Sequence, residues 1–138
     1  MKKKIILTII FIISLLPMFL NWFSDEKWEI LINGTSVLYN PITIIAILLY
    51  ILGVWYKGDS KTSKTICIIS LSTITFMAFY AYIDWMFKIA SGLTKATHYE
   101  IGWLIEIASC VIMINIYVRS NKKDRINNKN NVQTYGSN

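Results

Sequence analysis

Apolar residues along this chain fall into four runs, Ile5 to Phe23, Pro41 to Tyr56, Thr65 to Phe87 and Tyr99 to Val118, and the charges gather in the joints between them. An α-helix rises about 1.5 Å per residue and the hydrocarbon core of a bilayer is about 30 Å thick, so one crossing takes roughly 20 apolar residues. The first, third and fourth runs meet that length. The second gives only about 24 Å as a helix, which leaves Lys57 to snorkel, the bilayer to thin, or the helix to begin nearer Val37. The pattern predicts an all-α membrane protein with a four-transmembrane-helix bundle over residues 1–120. Residues 121–138 read as a disordered cytoplasmic tail or a frayed helical extension, because Asn127 to Asn138 has almost nothing apolar to bury.

Local signals refine the runs. Pro17 removes one helical hydrogen bond inside the first, so a kink or early loosening is expected near Ile13 to Pro17. Trp28 to Ile32 and Thr35 to Tyr39 read as two β-prone stretches around Asn33-Gly34, a pair that accepts positive φ at both centres of a hairpin turn. They predict a short extracytoplasmic β-hairpin between the first two helices, laid against the helix ends because a lone hairpin is marginal in water. Asn40-Pro41 reads as an N-cap followed by proline at the first helical position, which favours the short second helix. Trp22, Trp85 and Trp103 at one headgroup level, with Trp55 and Tyr56 at the other, read as interfacial anchors.

Composition narrows the class. With 54% hydrophobic and 16% charged residues, too little polar surface remains to give four soluble helices a wetted face. The net charge of +6 is unevenly placed. Lys2 to Lys4 precede the first run, Lys57, Lys61 and Lys64 lie between the second and third, and Arg119, Lys122, Lys123, Arg125 and Lys129 follow the fourth. By the positive-inside rule these joints are cytoplasmic, which predicts a multi-pass plasma-membrane protein with both termini inside. The basic clusters then act as topology determinants and headgroup contacts, and no nucleic-acid partner is implied. The Lys-rich start also resembles a secretory signal, but Met18 to Trp22 lacks the small residues of a cleavage site, so the run reads as an uncleaved first span. Abundant isoleucine, scarce alanine and more lysine than arginine match the bias of AT-rich bacterial chains. In a bacterium the Asn33-Gly34-Thr35 glycosylation pattern is a chance match.

Chemistry-bearing residues are few. Cys67 and Cys110 are isolated, no C-x-x-C occurs, and their depths differ, so neither thiol exchange nor a disulfide is expected. No G-x-S-x-G, H-E-x-x-H or phosphate loop occurs either; the reading is non-enzymatic and implies no cofactor. Glu106 stands out inside the fourth run. An ionised carboxylate disfavours insertion by about 3 kcal/mol at mid-bilayer, while the Ile, Leu and Val residues of that run supply roughly 3 to 5 kcal/mol in its favour. Gly102, Ser109, Cys110 and Met113 share its helical face, so Glu106 should point toward other helices, either as a proton or cation site or as a carboxyl that fixes packing. Asp84 is spaced for an ordinary ion pair with Lys88, yet would approach Glu106 if the third and fourth helices paired through their small faces. Glu106, Asp84 and Ser109 are therefore the candidate intramembrane polar site. Trp28, Asn33, Gly34, His98 and Glu100 are the candidate outer-surface interaction residues. One histidine with scattered carboxylates has no metal-ligand spacing.

Four spans with a β-prone first outer segment resemble the claudin-like arrangement at the level of fold, although the paired cysteines of that family are missing around Trp28. The size is similar to that of four-span small multidrug transporters, whose membrane-embedded glutamate belongs to the first span; here that span has no acidic residue. Fold analogy does not assign function. The expectation is a small accessory or immunity-type protein that binds a partner within the bilayer, either another membrane protein or a membrane-active peptide. The alternative is a small oligomeric ion-coupled transporter or permease using Glu106 and Asp84.

Overall fold

The structure, a computed structural model, describes residues 2–25, 30–93, 96–99 and 101–135, with side chains over 4–23, 33–93 and 101–119. It is mostly helical, at 84%. Among the described residues, two helices are long and apolar enough to cross a membrane, Ser60–Ala90 and the segment Ile101–Arg119. Trp28 and Glu100 lie outside the described residues.

Helix α1 covers Lys2–Ser14 and gives way to a 3-10 turn at Leu16–Phe19. Pro17 sits in the first turn of that 3-10 segment, where its missing N–H and fixed φ do no harm, so the expected loosening takes the form of a change of helix type. The run does not continue as helix to Phe23. Strand β1 begins at Asn21 and ends at Asp25.

The hairpin expected around Asn33-Gly34 is not formed there. Strand β2, Ile30–Asn33, pairs antiparallel with β1, while Thr35–Leu38 forms a short helix, α2. Gly34 has φ −71°, so the dipeptide does not make the positive-φ turn. Two contacts explain the choice. The Asn33 side chain accepts from the Thr35 N–H at 3.2 Å and from the Thr35 hydroxyl, which starts a helical turn instead of a strand. The glycine serves a close approach: a Cβ at Gly34 would fall 2.4 Å from Trp22 Cε2.

Helix α3, Pro41–Trp55, starts as the sequence predicts, with the Asn40 side chain accepting from the Ile42 N–H at 2.9 Å. Helix α4 spans Ser60–Ala90 and is capped by Asp59, which accepts from the Lys61 and Thr62 N–H groups. Strand β3, Ala96–Tyr99, joins the other edge of β1, giving the sheet order β2-β1-β3. Helix α5 runs from Ile101 to Tyr135. Residues 121–135 lie within it, and no proline or glycine falls between Gly102 and Gly136 to stop it.

The four longer helices pack in the cyclic order α1, α3, α4, α5. The α3–α4 and α4–α5 pairings are extensive, and α1 touches α3 and α5 lightly. One end of the assembly gathers Lys4, Tyr56, Ser60 and Tyr117, where the Lys4 ammonium donates to the Tyr56 carbonyl at 3.0 Å. The sheet, the 3-10 turn and α2 lie at the other. Most large apolar side chains point outward, among them Ile6, Leu52, Phe76 and Phe87 at 55 to 71% exposure, whereas Ser14, Thr43, Ser70 and Glu106 are buried.

Candidate functional site

Polar groups in the core form two clusters, one along a single face of α5 and one where four helices meet. On α5, Gly102, Glu106, Cys110, Met113 and Tyr117 are buried and succeed one another at three- or four-residue spacing, so a single stripe faces the other helices. Ser109 lies at the margin of that stripe, half-buried, and its hydroxyl donates to its own Ile105 carbonyl at 2.7 Å. Toward the sheet end, Glu106 is wholly buried. Its Oε1 accepts from the Cys110 thiol at 3.5 Å, and that thiol also meets the Thr75 hydroxyl of α4. Glu106 Oε2 has no hydrogen-bond partner.

The second cluster lies toward the lysine end. The Tyr50 and Tyr117 hydroxyls are 3.0 Å apart, Cys67 approaches the Tyr50 carbonyl at 3.9 Å, and the Phe11 ring stacks on Tyr50 with centroids 3.8 Å apart. Four helices thus meet on one aromatic plug, since Phe11, Tyr50, Cys67 and Tyr117 come from α1, α3, α4 and α5. A second plug closes the sheet end. Phe23 of β1 stacks on Trp85 of α4 at 5.3 Å, and Trp22 stands edge-on to Phe23 while its indole N–H donates to the Pro17 carbonyl at 2.9 Å.

Trp22 and Trp85, read from sequence as interfacial anchors, are instead buried at 1% and 4% exposure. The cause is local. Gly34 and Gly102 leave Trp22 a slot, for a Cβ on Gly102 would lie 2.7 Å from the Asn21 carbonyl and 2.8 Å from Trp22 Cδ1. Trp103 is half-buried and stacks on Tyr82 at 4.8 Å. The glycines at positions 34 and 102 were the available signal for a packed tryptophan, and Tyr117 continues the Glu106 stripe by spacing; Tyr50 and Thr43 carried none that spacing alone reveals.

The remaining expected residues are distributed differently. Asp84 and Glu106 do not share a site: Asp84 pairs with Lys88 at 2.7 Å with both side chains about half exposed, while Glu106 is enclosed. Asn33 caps the entry to α2 and Gly34 underlies Trp22. His98 stands in β3 opposite Ser24 of β1, and Trp28 and Glu100 fall outside the described residues. Among the described residues no group of three metal-ligating side chains occurs.

Several hydroxyls in the long helices are turned onto their own backbones, whereas Ser63 of α4 donates to the Gly53 carbonyl of α3 at 2.7 Å and the buried Thr43 Oγ1 has no partner. Ser70, Thr73 and Thr75 donate to carbonyls four residues earlier at 2.9 to 3.0 Å, as Thr8 does on α1. Among the described residues, two cavities lie beside α1. One, of about 500 Å³, opens at the lysine end among Lys4, Leu7, Lys57, Lys64, Ile116 and Tyr117. The other, of about 430 Å³, follows the α1/α5 seam and is lined almost entirely by apolar side chains such as Ile10, Ile13, Ile112 and Ile116. Comparison with protein-family models, curated proteins and solved structures finds no match for this chain.

Proposed function

We propose that this chain is a small, non-enzymatic, four-span protein of a bacterial plasma membrane, with its lysine-rich end and both termini in the cytoplasm, that works by binding a partner within the bilayer. Two helices already have the length of a crossing. For the others, α1 with its 3-10 turn adds up to about 28 Å and α3 to about 22 Å, so a full count of four asks only for modest local thinning at α3. The outward apolar side chains and inward polar ones support the same placement, since a belt this large would be unstable in water.

The observation that carries the partner-binding reading is the closed interior. Phe11, Tyr50 and Tyr117 fill one end and Trp22, Phe23 and Trp85 the other, which leaves the outer faces to do the work. An accessory or immunity-type role, directed at another membrane protein or a membrane-active peptide, uses such faces. Photo-crosslinkers at Leu52 and Phe76, 65% and 66% exposed on α3 and α4, together with one at Trp28, should recover one recurrent product from cells of the native host. Diffuse lipid adducts at all three positions would count decisively against it.

One observation favours a second reading, an ion-coupled transporter: Glu106 is buried in a long apolar helix with one oxygen unpartnered. Glu106→Gln separates the two. Proton- or cation-driven flux in proteoliposomes that vanishes in the variant supports transport, whereas flux that is absent or unchanged leaves binding.

A further inference from the structure

The buried polar side chains are ordered by height in the bundle. Among the described residues they are Ser14, Thr43, Ser70 and Glu106, one from each of α1, α3, α4 and α5. Helices α1 and α4 leave the lysine end while α3 and α5 run toward it, so heights count from the Phe11, Tyr50, Cys67 and Tyr117 plug at about 1.5 Å per residue. Ser14 and Ser70 fall roughly 5 Å toward the sheet, Thr43 and Cys110 roughly 10 Å, Thr75 roughly 12 Å and Glu106 roughly 16 Å. Cys110 and Thr75, which meet, thus stand at nearly one height.

Each rung can both give and accept a hydrogen bond. Ser14 and Ser70 donate to the Phe11 and Ile66 carbonyls, yet their lone pairs remain available. Glu106 Oε1 takes the Cys110 thiol, while Glu106 Oε2 and Thr43 Oγ1, on adjacent rungs, have no partner. At the foot, the Tyr50 and Tyr117 hydroxyls bond to each other, Tyr117 also meets the Cys67 thiol, and Tyr117 lines the cavity of about 500 Å³ that opens at the lysine end. The other direction is closed. One turn beyond Glu106, Gly102 lies under the Trp22 ring, the Trp22 N–H is committed to the Pro17 carbonyl, and the enclosed Trp103 Nε1 can donate but not accept.

Charge is scarce beside this ladder. No basic side chain is buried among the described residues. Asp84 and Lys88 of α4 pair on the outside, Lys4 of α1 stands at the mouth, Tyr82 of α4 stacks on Trp103, and the 3-10 turn brings no titratable group. One carboxylate with single hydroxyls at different heights does not assemble the roughly six oxygen ligands of a hard metal cation, but it can take a proton.

We propose that Glu106 exchanges a proton with the lysine-rich end, and not with the sheet end, through Tyr117, Ser70, Thr43 and Cys110. This deepens the second reading above and rests on it for Glu106 as the ion site. Hydronium in the cavity protonates the foot of the ladder and is left as water. Each rung then binds a proton on a lone pair and releases its own hydrogen to the next, and the carboxylate gains one O–H bond with no change of oxidation state.

The test uses the full chain in vesicles of one orientation. The carboxyl C=O stretch of Glu106, identified by its loss in Glu106→Gln, is followed by infrared spectroscopy after a pH step in one compartment. A step at the lysine end should change the band at least about tenfold faster than a step at the sheet end. Tyr117→Phe and Ser70→Ala, each removing only a hydroxyl, should slow the lysine-side response about tenfold and leave the pH midpoint in place, whereas a structural role moves the midpoint and not the rate. Cys110→Ala should slow it likewise, and Cys110→Ser, which keeps a relaying group, should restore it. Equal rates from both sides, a faster sheet-side response, truncated variants at wild-type speed or a band that never responds overturn the proposal. Flux decides the parent reading separately. A sided band in vesicles that carry no flux removes the transporter and leaves the route, whereas Glu106-dependent flux with a sheet-side band keeps the transporter and removes the route.

Discussion

Trp22 concentrates more of the packing at the sheet end than any other residue described. Its ring lies against Gly34 and Gly102, its N–H closes on Pro17, and its neighbour Phe23 stacks on Trp85. Trp22→Ala should therefore lower the unfolding free energy in detergent by about 3 kcal/mol or more, measured by denaturant titration. Gly34→Ala intrudes on the same ring and should cost about 1 to 3 kcal/mol. An alanine at Gly34 that leaves stability unchanged would mean the Trp22 slot is looser than described. Glu106 behaves differently. Its Oε1 is bonded and its Oε2 is not, so Glu106→Gln keeps the accepting oxygen and should change stability by less than about 1 kcal/mol. Collapse of the variant on purification would indicate that the structure depends on the acid itself.

At the scale of elements, the caps were legible and the turn was not. Asn40-Pro41 has one reading, because proline can open a helix and asparagine can cap it, and the structure follows it. Asn33-Gly34 has two, since the same asparagine can initiate a helical turn and the same glycine can make room for a ring; the deciding partner, Trp22, lies 12 residues before Gly34 and is invisible to local rules. Helix α4 offers a test in pH. The Asp59 carboxyl is held below the ordinary carboxylate range chiefly by the Thr62 hydroxyl, then by the Lys61 and Thr62 N–H groups. Because its folded value is lowered, its contribution is fully present above the ordinary range near 4 and is lost as pH falls through the lowered value. Asp59→Asn should remove this part of the acid sensitivity of unfolding, and Asp59→Ala should in addition lower the midpoint at neutral pH. Identical acid profiles for all three proteins would refute the capping role.

For the whole molecule, apolar run length carried the helical class and charge placement motivates the proposed sidedness, but neither encodes which faces meet. Glu106 and Asp84 illustrate the gap: both are acidic and near the same end in sequence terms, yet one is enclosed beside Cys110 and the other faces outward with Lys88. Helix rotation decides that, and it is set by the Trp22 and Tyr50 plugs, which no single-helix pattern contains. The proposed topology has a direct check. With Cys67 and Cys110 replaced by alanine, single cysteines at Lys61 and Lys122 should react with a membrane-impermeant maleimide only after the cells are opened, while cysteines at Tyr39 and Ser91 should react on intact cells. Reaction of all four on intact cells, or of none, would overturn four crossings with both ends inside.

The order β2-β1-β3 has a bearing on biosynthesis. β1 and β2 emerge from the ribosome almost together, but β3 begins only at Ala96, after all of α3 and α4. A nascent chain therefore carries one open edge of its middle strand until both intervening helices have been delivered, and long-range pairings of this kind are slow to close. Docking of β3 closes that edge only after the two helices between have been made, and until then β1 presents unpaired backbone groups on which another chain could pair.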